Sequence, residues 1–357
     1  MVDEIKDILL NHFNKYPKMN LQDMIKLIYQ NEFAGGHLIE NELESLNRLQ
    51  AEMESIKKSG LHINSPFFED IGNGLVRLYL GKIPDSRIDI RTINGFFVNT
   101  SNSVCGSVEA FEKKAAVLRN CCEEGLLPFS ADETDRLMQE LRGKGYPPVS
   151  HSEEYRKAYN PSYRVVLSEY MTFFEVFSGI DELLKSQDLV IVAIDGNSGA
   201  GKSHLSRLLG GIYDCNIFHM DDFFLTPGLR TVERLKEPGG NVDYVRFRHE
   251  VLNNIKTRNE FSYRKYNCSK GTFDEPVHVS PKKLNIVEGC YSMHPHLMKD
   301  YDLKVFLGIG KEKQKSRILQ RNGPLMLERF VNEWIPLEDK YFDELRIPDK
   351  CDLIYQL

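Results

Sequence analysis

The spacing of hydrophobic and polar positions changes character once along this chain. Up to about residue 180 the apolar residues recur at helical intervals. After Asn20, an N-cap type of residue with Asp23 three positions on, come Leu21, Met24, Ile25 and Ile28 on one helix face. Segments 107–123 and 131–143 read the same way, the second opening near Ser130. Ser150 and Glu153 have the spacing of a capping box. Asn160-Pro161 suits the cap and first position of a further helix running through Met171, Phe173 and Phe174 toward Ile180, since proline lacks only an N–H that the first turn does not use.

From about residue 186 the rhythm becomes that of buried strands. Leu189-Val-Ile-Val-Ala-Ile194 is a short, continuous, largely β-branched run, as expected of a strand covered on both faces. Similar runs lie at 216–220, 284–287, 303–309 and 353–355, with helical patterns at 202–209 and 312–320. Strands that alternate with helices imply a parallel sheet. The expected organisation is a mostly α-helical N-terminal domain over 1–182, followed by an α/β domain over 183–357.

Composition narrows the class. The chain has 357 residues, of which 41% are hydrophobic and 27% charged, which suits two globular domains. Its longest strictly apolar run, 189–194, is far below the roughly 20 residues a membrane helix needs, and residues 2–6 lack an apolar leader core. Forty-six basic against 52 acidic side chains leave −6, so no global positive field draws the chain to nucleic acid. Seven cysteines contain no C-x-x-C pair, which suits reduced thiols and a cytoplasmic location. No nucleic-acid or membrane partner is expected, and homo-oligomerisation stays open.

The candidate chemistry begins at Gly196-Asn197-Ser198-Gly199-Ala200-Gly201-Lys202-Ser203, a complete G-x-x-x-x-G-K-[ST] string set between a predicted strand and a predicted helix that continues into His204. Glycines let such a loop turn its N–H groups onto phosphate oxygens at a helix N-terminus, where partial positive charge favours an anion. Lys202 is then expected at the β- and γ-phosphates and the Ser203 hydroxyl at Mg²⁺, with ATP as the nucleotide. D-x-x-G and N-K-x-D do not follow the loop, and H-R-D and D-F-G are absent, which argues against a GTPase switch and a protein kinase. Phe218-His219-Met220-Asp221-Asp222-Phe223-Phe224 ends the second strand, on the side where parallel sheets place their ligands.

The loop, Met220–Phe224 and Val287-Glu288-Gly289, in that order, resemble the uridine kinase and phosphoribulokinase group of P-loop kinases over about residues 186–357. The resemblance implies an ATP- and Mg²⁺-dependent transfer of a phosphoryl group to a hydroxyl of a small molecule. It gives Asp221 the part of general base, Glu288 a part in holding Mg²⁺ together with Ser203 and Asp221, and Arg317 and Arg321 the part of lid arginines that neutralise the transferring group. For the acceptor it points to Asp222, to Asp243 within Asn241-Val-Asp243, and to Arg264 and Tyr266. The His-Pro that usually follows that aspartate is Tyr244-Val245 here, and Asn322-Gly323-Pro324 cuts the arginine-rich lid short. A nucleoside acceptor is the leading expectation. Nicotinamide riboside, pantothenate or a sugar are alternatives, as is a nucleotide-binding regulatory module without an acceptor. Segment 330–342, with the sole tryptophan Trp334, is expected to pack on the sheet.

The N-terminal half matches nothing in that group. Gly35-Gly36-His37 reads as a helix C-cap. His151, Tyr155 and Tyr159 recur at i, i+4 and i+8, and with Tyr163 and Arg164 form either a packing stripe or the wall of a polar pocket.

Overall fold

The computed structural model describes residues 2–36, 38–59 and 66–357, so His37 lies outside the described residues. Contacts divide the chain into two compact units, Met1–Phe174 and Glu175–Leu357.

The first unit contains α1 (Val2–Lys15), α2 (Leu21–Phe33), α3 (Glu42–Ser59), β1 (Phe68–Gly72), β2 (Leu75–Tyr79), α4 (Ile90–Ser103), α5 (Val108–Glu123), α6 (Ala131–Gly143), α7 (Glu153–Tyr159) and β3 (Tyr163–Leu167). Asn20 caps α2 through a reciprocal box with Asp23. Ile5 and Leu9 of α1, Ile25 and Ile28 of α2, and Phe111 and Leu118 of α5 share one core.

Three expectations fail here. Ser152, not Ser150, caps α7, accepting from the N–H of Tyr155. Asn160 ends that helix in a left-handed conformation (φ 41°, ψ 60°) instead of starting another, so the chain turns into β3. The strands β1, β2 and β3 form an antiparallel sheet in that order, which the helical reading missed. Its central strand Leu-Val-Arg-Leu-Tyr is buried at all five positions, arginine included, so it lacks the polar alternation that would have betrayed it.

The second unit follows the expected α/β plan. It opens with α8 (Phe174–Ser186), which Tyr213 ties to this unit by donating to the Phe177 carbonyl (3.2 Å) and the Asp181 carboxylate (2.9 Å). Next come β4 (Val190–Gly196), α9 (Lys202–Gly210), β5 (Cys215–His219), β6 (Leu284–Glu288), β7 (Leu303–Gly308), α10 (Lys311–Asn322), α11 (Ile335–Glu344) and β8 (Leu353–Gln356). The five strands form one wholly parallel sheet ordered β8-β7-β4-β6-β5. β4 is central and every residue of β4 and β6 is buried, which is why β4 begins as a continuous apolar run, Val190–Ile194, and β6 is largely apolar apart from the buried Asn285 and Glu288. Phe342 of α11 meets Phe306 of β7 edge to face at 5.1 Å, so the second half of segment 330–342 packs on the sheet as expected, whereas residues 330–334 have no buried side chain and Trp334 contacts Phe330 and Arg329 instead. No helix among the described residues is long and apolar enough to cross a membrane, and all seven cysteines are free thiols.

Candidate active site

β4 delivers the chain into residues 196–203, and α9 begins at Lys202, so the loop amides lie at a helix N-terminus. Gly196 has φ +143° and approaches the Leu307 carbonyl of β7 so closely that a Cβ would stand 2.0 Å from that oxygen. Only glycine fits there. The N–H of Asn197 donates to the same oxygen at 3.1 Å, and the Asn197 side chain accepts from the N–H of Ile309 at 3.3 Å.

Two acids that the sequence reading left without a role fasten this loop. Asp195, fully buried, accepts from the N–H groups of Gly196 (2.7 Å), Tyr291 (3.2 Å) and Met293 (2.8 Å) and from the Tyr341 hydroxyl (2.8 Å). Burial nevertheless outweighs those bonds and the nearby Lys202, pushing its carboxyl up to about 6. Glu338 of α11 accepts from the N–H of Ser198 at 3.0 Å and from the Ser198 hydroxyl. Burial raises its pKa as well, against the pull of Lys202 and the Ser198 bonds. Nothing local marked Glu338, because it lies 140 positions from its partner on an amphipathic helix.

Lys202 donates to the carbonyls of Gly196 (2.8 Å) and Asn197 (3.0 Å). The Ser203 hydroxyl donates to Glu288 at 3.1 Å, at the end of the neighbouring β6. His219 Nδ1 lies 2.5 Å from the same carboxylate oxygen, and that bond raises the His219 pKa. His219, too, went unassigned in the sequence, although it sits in the string that carries Asp221.

Asp221 stands just past β5 in a short turn, Met220–Phe223. Its residue surface is open, but its carboxyl is crowded by protein. Burial raises its pKa, Glu288 and Asp222 add to the rise, and Lys202 and His219 oppose it. Among the described residues it has no hydrogen-bond partner. Lys202, Ser203, Asp221 and Glu288 are therefore drawn to one end of the sheet, with His219 beside them.

The remaining predicted residues divide. Arg317 of α10 reaches the loop, donating to the Gly199 carbonyl at 3.1 Å, whereas Arg321 is exposed and turns to Asn322. His204 is exposed on α9. Asp222 pairs with Lys265 at 3.0 Å. Asp243 caps a short helix through the N–H of Arg246 (3.0 Å) and lies 3.7 Å from that guanidinium. Tyr266 is buried edge to face on Phe273 in a hairpin, and the Arg264 guanidinium lies over the same ring at 4.6 Å. Each of these four has a scaffold contact that accounts for its position.

Hard oxygen donors adjoin where the resemblance expects Mg²⁺. The Ser203 hydroxyl and the Glu288 carboxylate touch, and Asp221 is close enough to be perturbed by Glu288. A set this sparse suits Mg²⁺, which keeps several waters and takes most remaining ligands from phosphates. No three His, Cys, Asp or Glu residues cluster as a metal cage among the described residues.

No family model matches the chain. Over 142 residues it is 25% identical to a phosphoribulokinase of Synechocystis sp., an alignment covering 38% of this chain and 42% of that one. The chain thus spans about two fifths of the curated relative it matches. Among solved structures it is similar to a possible uridine kinase from Bacillus stearothermophilus (19% identity, 51% of this chain, 99% of that one, TM-score 0.38). It is also similar to a kinase attributed to a fructose transport system from Silicibacter sp. TM1040 (22% identity, 52% and 99%, TM-score 0.44). The second unit is a parallel α/β domain carrying a P-loop string, and the chain resembles the phosphoribulokinase and uridine kinase group in its motifs and, at low identity, a phosphoribulokinase in its sequence.

Proposed function

We propose that the second unit is an ATP- and Mg²⁺-dependent kinase that phosphorylates a hydroxyl of a small molecule, with a nucleoside-like alcohol as the leading acceptor. The observation that carries this reading is Asp221. It is a carboxylate without a hydrogen-bond partner among the described residues, at the strand end beside Lys202 and Glu288. A pure nucleotide-binding module has no use for such a group.

In this reading the loop amides and Lys202 hold the triphosphate, with Lys202 exchanging its two carbonyl partners for phosphate oxygens. Asp221 takes the proton of the acceptor hydroxyl as that oxygen attacks the γ-phosphorus, and its raised pKa makes it a stronger base than an ordinary aspartate. Arg317, already at the loop, offsets charge on the transferring group. Ser203 and Glu288 would hold Mg²⁺, which when bound supplies positive charge at the phosphate oxygens. His219 keeps Glu288 oriented. Positioning and electrostatics do most of the work in such a transfer.

The test is ADP release against uridine, cytidine, nicotinamide riboside, pantothenate and simple sugars. Asp221→Asn should lower acceptor-stimulated turnover by about 10²–10⁴-fold while leaving ATP binding within a few-fold. Near-normal turnover in that variant removes Asp221 as the base. No stimulation by any acceptor, with ATP still bound, returns the unit to a regulatory module.

A further inference from the structure

The first unit contains a cavity of about 620 Å³, walled by α2, the start of α3, the 148–150 segment and β3. That volume lies within the range of small-molecule sites. The polar groups on its walls are unequal in sign. Arg48 is paired with Glu44 at 2.5 Å and Arg164 with Glu52 at 2.8 Å, and Glu40 lies at the exposed rim. Lys26 differs. It is half-buried, its ammonium donates to the Val149 carbonyl at 2.8 Å, and no carboxylate lies within 4.0 Å of it among the described residues.

The neighbouring position on the same face of α2 adds a second donor. Gln30 accepts from Arg77 through its carbonyl oxygen, at 3.2 Å from Nε and 2.8 Å from Nη2. That double bond from a fully buried guanidinium fixes which end of the amide is nitrogen. The Tyr163 hydroxyl lies 3.2 Å from that nitrogen and 3.3 Å from the carbonyl oxygen, so of the nitrogen's two N–H groups at most one is taken by Tyr163. Lys26 keeps two N–H groups beyond its bond to Val149. Burial, then the charges of Arg77 and Arg156, push the Lys26 pKa down to about 8, against a smaller opposing pull from Asp23.

The wall is also held under strain. Ala34, which lines the cavity, has φ 50° and ψ −110°, a conformation an L-residue adopts only when its surroundings impose it. Behind the wall Asp23, His151 and Tyr163 form a chain: His151 Nδ1 is 2.9 Å from Asp23, and its Nε2 is 2.5 Å from the Tyr163 hydroxyl. Asp23 thus directs its hydrogen bonds to His151 and Ser152 and makes none to Lys26, acting on it only at a distance.

We infer that this cavity is a binding site for a small organic anion, a phosphate monoester or a carboxylate, whose charge is received by Lys26 and the Gln30 amide. The aromatic groups Tyr29 and Phe97 on the same cavity suit the apolar body of such a ligand. The site belongs to the first unit alone and is independent of the kinase reading.

The test is calorimetric titration of the full chain with ribose 5-phosphate, phenyl phosphate, succinate and benzoate, each to 10 mM on the order of a weak site. A Lys202→Met background removes the loop lysine as a competing anion site. At least one probe should bind in both backgrounds, with Lys26→Met weakening it tenfold or more. Gln30→Glu, which puts a carboxylate beside Lys26, should weaken it as much and guards against a Lys26 variant that fails to fold. Phosphate probes alone, or carboxylate probes alone, would name the class. Binding to none of the four probes, or binding that both first-unit variants leave unchanged, overturns the assignment.

Discussion

Replacing Gly196 by alanine should damage the second unit far more than the same change at Gly199, although both glycines lie in the loop with positive φ. At Gly196 the added Cβ would meet the Leu307 oxygen at 2.0 Å, its carbon at 2.7 Å and its nitrogen at 2.8 Å. Side-chain carbons essentially never approach closer than 3.0 Å, and all three atoms are backbone of the paired strand β7. Strand and loop must therefore part by about 1 Å, losing the bond from Asn197 N–H to Leu307, which is worth roughly 0.5–1.5 kcal/mol. The φ of +143° adds strain of about 1–3 kcal/mol for a residue with a Cβ. At Gly199 the nearest atom would be at 3.6 Å, an ordinary contact, so only the left-handed backbone counts, at roughly 1–2 kcal/mol. The expected gap is about 2 kcal/mol, or a shift of about 1 M in the urea midpoint for a typical slope. Trp334, the sole tryptophan, lies in this unit and reports its unfolding by fluorescence. Equal midpoints for the two variants would refute the argument that backbone proximity to β7 fixes the loop.

Three further outcomes follow from contacts described above. Glu338→Ala should weaken ATP binding about tenfold by releasing the Ser198 N–H, whereas Glu338→Gln, which keeps an acceptor, should stay within about threefold; equal affinities measured by nucleotide titration would make the contact incidental. Arg77→Met removes the buried partner of Glu69, 3.4 Å away, and should cost the first unit about 3–5 kcal/mol, read as lost hydrogen-exchange protection in peptides spanning 68–80. Acid should destabilise that unit. Burial holds His151 at about 4, below its ordinary 6.5, so the stabilisation is complete above pH 6.5 and is lost as pH falls through about 4, up to about 3 kcal/mol. Glu69 extends the loss: burial raises its pKa, but Arg77, His12, Lys15 and Tyr16 prevail and hold it at about 2, so its share disappears as pH falls from 4.5 through 2. His151→Gln should flatten the stability profile between pH 6.5 and 4, and an unchanged slope would assign the effect elsewhere.

How much of this was legible depended on how locally each feature is encoded. The central strand β4 showed because a strand covered on both faces is written as an unbroken apolar run, the edge strands β5 and β8 showed only as short mixed runs spaced between helical patterns, and the loop showed because its eight residues are contiguous. The antiparallel sheet did not, because Glu69 and Arg77 interrupt its strands with charges that only the folded network satisfies. Asn160-Pro161 misled for a related reason: asparagine tolerates the left-handed turn that closes α7 as readily as it caps a helix. The acceptor contacts were the least legible. Asp243 and Asp222 matched motif positions, yet the capping bond to Arg246 and the ion pair with Lys265 depend on residues no motif contains.

The hub at Asp195 bears on how nucleotide is captured. One buried carboxylate ties the first residue of the loop to Tyr291, Met293 and Tyr341, while Glu338 ties the third. The loop's shape is thus determined by the protein's own bonds, and little backbone freedom remains to be lost when a triphosphate arrives. Capture becomes an exchange of partners at Lys202 within a standing frame. Its entropy change should then come mainly from released water and from the nucleotide itself, not from the chain.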